Sequence, residues 1–363
     1  MVECRSLGLT GPYEPAFFEL EVDDPADGEV LVETVYSGLS AGTELAYVKG
    51  TDPGFTSRRD LELGAFVPDG PPSRAFPIPV MGYMEVGRVV ASRRDDLEPG
   101  RLVGAAYGHR SCAVLGTDSV VVPVPEGVDP VLGIYLAQMG PIAANGLLHA
   151  AQDQPEEDPD LGAGVRDRQV LVTGAGVVGL LTAMFAVLHG ARSVVVADPD
   201  PSRLAVATSL GLDVIDERTV EPWRWCKETW HHGDRDRGAD LVLQCRGRDT
   251  ALHQALKSLR PQGVVVDLAF YQGGAPELRL GEEFHHNGLT IRCAQIARVP
   301  RRLRRTWDRE RLAAETARLL LDKGTALREH LVTDVVPVDE APELLLALAR
   351  RERSASQVAF RFG

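Results

Sequence analysis

The segment Val170–Asp198 constrains the fold of this chain more than any other stretch. It reads VLVTGAGVVGLLTAMFAVLHGARSVVVAD: an apolar run, a glycine-rich turn, an apolar segment of helical length, and a β-branched run that stops at an acid. A strand, a G-x-G-x-x-G turn, a helix and a strand ending in an acid form a dinucleotide-binding fingerprint. The segment therefore predicts a doubly wound α/β unit that binds a dinucleotide.

Each glycine of the turn has a predicted task. Gly174 allows the tight turn, Gly176 lets the backbone approach the pyrophosphate, and Gly179 lets the helix pack closely on the strand. The free N–H groups at the start of the helix, where Val177 and Val178 lie, are expected to bind the pyrophosphate.

The acid that ends the second strand predicts which dinucleotide binds. The carboxylate of Asp198 can accept hydrogen bonds from both hydroxyls of the adenosine ribose, and it would repel a 2′-phosphate. The expected cofactor is therefore NAD rather than NADP.

Length and composition restrict the remaining possibilities. At 363 residues the chain is long for one core, which favours two domains. A net charge of −13 argues against general nucleic-acid binding. No apolar run is long enough to span a bilayer, and the N-terminus lacks a secretory core. Five scattered cysteines without a C-x-x-C pair suit a reducing cytoplasm, so a cytoplasmic protein is expected.

Three regions follow from the alternation of elements along the chain. Residues 1–141 contain short alternating strands bounded by Gly and Pro, which predicts an all-β, barrel-like domain. Residues 142–296 continue the α/β pattern through six strands of one parallel sheet. Residues 297–363 are not needed by that sheet, and we expect them to return to the first domain. An acidic surface loop, residues 154–168, is expected to lead into the first strand of the sheet.

Several motifs in this order resemble the medium-chain dehydrogenase/reductases over essentially the whole chain. Besides the fingerprint, they are GLSAGTEL (38–45), GYMEVGRVV (82–90), VVVPVPEGVDP (120–130) and the ending VVPVDEAPELLLAL. The resemblance implies a GroES-like β-barrel catalytic domain joined to a Rossmann domain. The GTE and GY motifs resemble a zinc-lacking branch that includes the bacteriochlorophyllide dehydrogenases.

The chain departs from the zinc alcohol dehydrogenases of this family at all three ligand positions. The family's first cysteine becomes Ala41, or Ser40 if an insertion is allowed, its histidine becomes Tyr83, and its third ligand becomes Gly140. Alanine and glycine offer no ligand and a neutral tyrosine is a poor one. The four-cysteine lobe of the family's structural zinc is absent too. A metal-free enzyme is therefore expected.

Without zinc, another group must stabilise the alkoxide that forms during hydride transfer. Thr43 matches the family's relay hydroxyl, Tyr83 takes the position of the lost histidine, and Glu44 can orient its neighbours or accept a proton. These three are the predicted catalytic residues. Structural roles are the alternatives: a turn for Thr43, a space-filler for Tyr83 and an ion pair for Glu44.

Further cofactor contacts are expected around the sheet. Arg203 matches a basic position of the family near the adenine ribose. Cys245 and Ala269 end the fourth and fifth strands, and Tyr271 follows the fifth, where doubly wound sheets bind ligands.

The roles of some polar residues stay open at this stage. His109 and the pair His285 and His286 lack recognised partners, and such histidines are more often structural or exposed. The basic cluster within residues 298–311 is interpreted as a solvated face, with attraction for an anionic substrate as the alternative.

The leading functional hypothesis is a zinc-independent, NAD-dependent dehydrogenase of a secondary alcohol or polyol, or of the corresponding ketone. A second hypothesis is an enoyl or quinone reductase, whose relatives usually prefer NADPH. A third is a non-catalytic dinucleotide-binding protein. The resemblance also implies a homodimer in which strands at Leu289–Gln295 pair across a two-fold axis. The expected partner is a small-molecule substrate, with neither nucleic acid nor membrane involved.

Overall fold

The computed structural model describes residues 1–67 and 69–363 and divides into two compact units. The first unit contains Met1–Gln138 and Val332–Gly363, and the second contains Met139–Leu331. No helix in the described part of the chain is both long enough and apolar enough to cross a bilayer.

The first unit is built mainly from antiparallel strands. Its elements are β1 (Val2–Gly11), β2 (Glu14–Val22), β3 (Val30–Gly38), α1 (Ala41–Lys49), β4 (Arg58–Asp60), β5 (Ala65–Val67), β6 (Glu85–Ser92), β7 (Leu102–Ala105), β8 (Cys112–Leu115), β9 (Val122–Pro123), β18 (Asp334–Pro337), α9 (Ala341–Ala349) and β19 (Val358–Arg361). Seven strands form one sheet in the order β18-β19-β3-β6-β7-β9, with β8 also paired to β3. This sheet is the predicted GroES-like barrel.

The pairing of β3 with β6 sets the geometry of the later candidate site. The two strands run antiparallel, with Ser37 opposite Glu85 at the end of the pair. Val30 and Val32 of β3 are fully buried, and β3 lies inside the sheet with β19, β6 and β8 as its neighbours. The chain then turns directly from β3 into α1.

The second unit alternates helices and strands. Its elements are α2 (Met139–Ala151), β10 (Gln169–Thr173), α3 (Val177–Leu188), β11 (Ser193–Asp198), α4 (Pro201–Ser209), β12 (Asp213–Asp216), α5 (Pro222–Thr229), β13 (His231–Gly233), β14 (Asp236–Arg237), β15 (Ala239–Gln244), α6 (Asp249–Ser258), β16 (Leu259–Asp267), α7 (Glu283–His286), β17 (Thr290–Cys293) and α8 (Arg309–His330).

The six long strands of this unit make the predicted Rossmann sheet. Their order is β12-β11-β10-β15-β16-β17 and all of them are parallel. The order reverses direction at β10, so the turn after β10 lies at the switch point where such sheets bind ligands. The helix α3 begins at that turn and buries Leu180, Leu181 and Phe185 almost completely. The α/β fold class and the doubly wound parallel sheet of six strands are confirmed.

The return to the first unit begins later than the sequence suggests. We expected it at residue 297, whereas α8 belongs to the second unit and the return starts at Val332. The reason is packing within the second unit: a Cβ added at Gly140 of α2 would lie 2.1 Å from Thr316 Cγ2 of α8. Glycine at position 140 therefore lets α8 lie close against α2.

Two arginines of the basic cluster contact the acidic loop, while most of the cluster is exposed: Arg298, Arg301, Arg302, Arg304 and Arg305. The guanidinium of Arg302 donates to the carbonyl oxygens of three loop residues, Gln154, Pro155 and Glu156, and to that of Gln152 just before the loop. Arg311 Nη1 lies 2.7 Å from Asp158 Oδ1, and its guanidinium stacks over Trp307. The exposed arginines agree with the interpretation as a solvated face, and Arg302 and Arg311 in addition hold the loop against its own unit.

Candidate active site

Three hydroxyl groups meet at the N-terminus of α1, and we call Ser40, Thr43 and Tyr83 the hydroxyl cluster. The phenol oxygen of Tyr83 lies 3.3 Å from Thr43 Oγ1 and is hydrogen-bonded to Ser40 Oγ. Ser40 precedes the helix, but its side chain does not cap the helix. Burial raises the pKa of Tyr83 above its ordinary value, against the opposing hydrogen bonds from Ser40 and Thr43.

The third predicted catalytic residue, Glu44, faces the interior. Its Oε1 accepts the backbone N–H of Ser40 at 2.7 Å, and its Oε2 lies 2.5 Å from His109 Nε2. Both side chains of the Glu44–His109 pair are 0% exposed. The structure therefore brings Thr43 and Tyr83 together and places Glu44 in an ion pair, which was the alternative for this residue.

The other ring nitrogen of His109 reaches a second buried carboxylate through a serine. Nδ1 is hydrogen-bonded to Ser37 Oγ, which donates to Glu85 Oε1 at 3.0 Å. Burial by itself would lower the pKa of His109, but Glu44 and Glu85 more than offset it, so that the pKa is raised. Burial raises the pKa of Glu85 against the opposing effects of His109 and of backbone N–H groups.

The side chains at the family's zinc positions do not fit a zinc ion. Ala41 has only a methyl group, and the phenol oxygen of Tyr83 is already hydrogen-bonded within the hydroxyl cluster. Gly140 has no side chain, and the contact with Thr316 leaves no room for one. Among residues 1–67 and 69–363, the one group of at least three His, Cys, Asp or Glu side chains close enough to share an ion is His253, Glu282 and Glu283, none of which is at these positions.

The glycine turn of the second unit has the geometry that a dinucleotide site needs. Gly174 adopts φ +98°, which favours glycine. A Cβ added at Gly179 would lie 1.8 Å from the carbonyl oxygen of Gly174, so only glycine allows this close approach of helix and turn. A Cβ at Gly176 would meet nothing within 4 Å. No side chain in the described part caps α3, which leaves Val177 and Val178 at an uncapped helix N-terminus.

Asp198 lies beside this turn and is only 2% exposed. Its Oδ2 accepts the backbone N–H of Ala175 at 2.8 Å, and its Oδ1 accepts that of Asp200 at 2.8 Å. Each carboxylate oxygen has a second lone pair, so the group can still accept from a ribose hydroxyl. The carboxylate thus fits the predicted role and also fixes the turn.

The remaining predicted cofactor residues surround the same end of the sheet. Arg203 lies half exposed on α4, with its Nε 3.8 Å from Asp200 Oδ2. Cys245 follows β15, and burial raises the pKa of its thiol to about 12, so the thiol stays neutral. Cys245 Cβ lies 3.5 Å from the position of a Cβ at Gly179, which shows that Cys245 packs on the fingerprint helix.

Ala269 and Tyr271 lie beyond the carboxyl end of β16. The N–H of Ala269 donates to Asp267 Oδ1 at 3.0 Å, and the phenol oxygen of Tyr271 accepts from Gln244 Nε2 at 3.1 Å. Burial raises the pKa of Asp267 to about 6. Sequence reasoning missed Asp267 and Gln244, although each is a polar residue that ends an apolar strand.

The three histidines whose roles could not be assigned from the sequence have different surroundings. His109 is buried between two carboxylates, whereas His285 and His286 lie exposed on α7 with their rings edge to face. Sequence reasoning also missed Ser40 as a partner of Tyr83 and Glu85 as a partner of His109. Glu85 stands in the quoted GYMEVG motif, so its charge next to a buried run was a usable signal.

Comparisons with known proteins agree with this architecture. Residues 177–309 match the family model described as zinc-binding dehydrogenase, a range that contains none of the positions 41, 83 and 140. The chain is 27% identical to L-threonine 3-dehydrogenase of Cutibacterium acnes, over 93% of this chain and 94% of that protein. It is 24% identical to 2-desacetyl-2-hydroxyethyl bacteriochlorophyllide A dehydrogenase of Cereibacter sphaeroides, over 92% and 91%.

A solved structure supports the fold independently. The alcohol dehydrogenase of Thermotoga maritima superposes with a TM-score of 0.73 at 21% identity, covering 99% of this chain and all of that one. The order of the Rossmann strands, the barrel unit and these relatives lead to one conclusion. The matches support a place for this chain in the zinc-type alcohol dehydrogenase-like group of the medium-chain dehydrogenase/reductase superfamily, and the relatives that it matches include a bacteriochlorophyllide dehydrogenase.

Proposed function

We propose that this protein is a zinc-independent, NAD-dependent dehydrogenase that interconverts a secondary alcohol or polyol and its ketone. The observation that carries the proposal is the contact in the hydroxyl cluster between Tyr83 and Thr43, which the family resemblance predicts at a lost zinc ligand and at the relay hydroxyl. Relatives with dehydrogenase names, among them a threonine 3-dehydrogenase, support the reaction class.

In the proposed reaction the hydroxyl cluster stabilises the alkoxide, which is the role of zinc in the family's zinc alcohol dehydrogenases. Bound NAD supplies the acceptor for a hydride at C4 of its nicotinamide ring. In alcohol oxidation, Thr43 and Tyr83 bind the carbinol oxygen, and the phenolate form of Tyr83 takes the hydroxyl proton as the hydride leaves the carbinol carbon. In ketone reduction, the neutral phenol donates that proton to the oxygen. Each hydroxyl donor stabilises the alkoxide that develops between these states.

The choice of NAD rests on Asp198. Its carboxylate lies at the end of β11 beside the glycine turn. Among the described residues it accepts hydrogen bonds from backbone N–H groups and forms no ion pair with a cationic side chain. A negative group in a nearly buried position would disfavour the 2′-phosphate of NADP. We also propose that the protein works as a homodimer. A reducing compartment is proposed as well, because all five cysteines are unpaired.

A substrate screen followed by absorbance at the NADH band tests the proposal against the two alternatives. The proposal expects reduction of NAD by cyclitols, sugars or aryl carbinols. Consumption of NADPH by quinones or enones, without alcohol oxidation, would establish the reductase instead. Binding of a dinucleotide without any turnover would indicate a non-catalytic protein.

A further inference from the structure

A fully buried ion pair lies directly behind the hydroxyl cluster. Glu44 and His109 approach within 2.5 Å, and neither side chain is exposed. Taking two charged groups out of water is costly unless additional hydrogen bonds satisfy them. One such bond comes from the backbone N–H of Ser40, which donates to Glu44 Oε1 at 2.7 Å. The pair therefore fixes the residue whose hydroxyl contacts Tyr83.

The opposite side of the His109 ring is tied to the strand that follows Tyr83. Through Ser37, the ring connects to Glu85, which is the first residue of β6. Glu85 Oε2 accepts the backbone N–H of Tyr107 at 2.8 Å. The imidazole thus links the start of α1 to the start of β6, the two segments that carry the hydroxyl cluster.

The turn that precedes Tyr83 packs on the face of the same ring. Gly82 adopts φ +96°, and a Cβ there would lie 2.8 Å from His109 Nδ1 and Cε1. The backbone N–H of His109 donates to the carbonyl oxygen of Met81 at 2.7 Å. Position 82 must therefore be glycine for both its backbone angle and its contact with the ring.

We propose that His109 is a positioning residue of the active site, which sets the hydrogen bond between Ser40 and Tyr83 by neutralising and holding Glu44. The chemical role of that hydrogen bond rests on the proposed function, but the positioning does not. A protonated imidazole can donate to Glu44 from Nε2 and to Ser37 from Nδ1, while both carboxylates receive only donors. Without His109, the charge of Glu44 is left unpaired close to Tyr83.

A double-mutant cycle on the tyrosine resonance tests the positioning without any substrate. The protein is labelled with ¹³C at the Cζ atom of tyrosine, and the Tyr83 signal is assigned with Tyr83→Phe. His109→Gln removes the positive charge and should shift this signal. Adding Glu44→Gln should return it toward the native value, because two neutral amides can hydrogen-bond to each other. His149→Gln, a buried histidine of α2 in the second unit, is the matched control and should leave the signal unchanged.

Two results would overturn the proposal: a Tyr83 signal unchanged by His109→Gln, or a shift that Glu44→Gln does not reverse. Thermal unfolding and NAD binding by the second unit verify that each variant is folded. Once a substrate is known, His109→Gln should lower kcat roughly a hundredfold at nearly constant KM, and the double variant should recover part of it. A native protein that shows the resonance coupling but turns over no alcohol would refute the proposed function and leave the positioning intact.

Discussion

For single residues, the proposal is that two hydroxyl groups, those of Thr43 and Tyr83, carry out proton transfer. Thr43→Val or Tyr83→Phe removes one positioned donor or base, so we expect kcat to fall roughly ten- to a thousandfold. The phenolate of Tyr83 is the proposed base, and burial raises the pKa of this residue above its ordinary value. The phenolate therefore forms only at alkaline pH, and alcohol oxidation by the native enzyme should accelerate as the pH rises into that range. Tyr83→Phe should lose this acceleration and leave the Kd for NAD nearly unchanged. Full kcat in both variants, with a deuterium isotope effect showing that hydride transfer limits the rate, would contradict the assignment.

Cofactor choice also belongs to a single residue. We expect kcat/KM to favour NAD over NADP by at least about a hundredfold, from charge repulsion and the lost ribose hydrogen bonds. Asp198→Ser should reduce the ratio of the two kcat/KM values, mainly by weakening the binding of NAD. Asp213→Asn is a matched control, because this acid begins β12 at the opposite end of the sheet. Equal kcat/KM values for the two dinucleotides in the native enzyme would refute the role of Asp198.

At the scale of elements, two glycines of one turn should respond differently to the same substitution. Gly179→Ala forces a Cβ against the carbonyl oxygen of Gly174, so the free energy of unfolding should fall by about 1–3 kcal/mol. Gly176→Ala meets nothing within 4 Å in the protein, so Tm should hold while NAD affinity falls, because the methyl group occupies space that the pyrophosphate needs. Calorimetry and NAD titration check both. Unchanged NAD affinity in Gly176→Ala would argue against a pyrophosphate at this turn.

The elements differ in how far the sequence could predict them. The Rossmann sheet follows from local signals, since the turn, the helix and Asp198 are close in the chain. The later boundary at Val332 could not be predicted, because α8 belongs to the second unit and contacts residues far away in the chain, such as Gly140 against Thr316. The same holds for the active-site pair: Glu44 and His109 are 65 positions apart and meet only through the strand pairing of the barrel.

For the whole molecule, β17 is one of the two edge strands of the Rossmann sheet, and it is the one that the family resemblance predicts at a dimer interface. An unpaired edge tends to be covered by another strand, so we expect two copies to pair through β17 about a two-fold axis. Cys293→Lys places a charge at this exposed end and should give monomers in sedimentation analysis. Val214→Lys on β12, at the other edge of the sheet, is the control and should stay dimeric. A native protein that sediments as a monomer at micromolar concentration would exclude the dimer.

The central claim is that this member of a zinc-type group catalyses hydride transfer without zinc. The most direct test is to purify the protein without added metal, measure its zinc content by elemental analysis, and follow NAD reduction by an alcohol before and after chelation. We expect a zinc content well below one ion per chain and an undiminished kcat in the presence of the chelator. Stoichiometric zinc, with activity that is lost on its removal and restored by its return, would refute the zinc-independent mechanism.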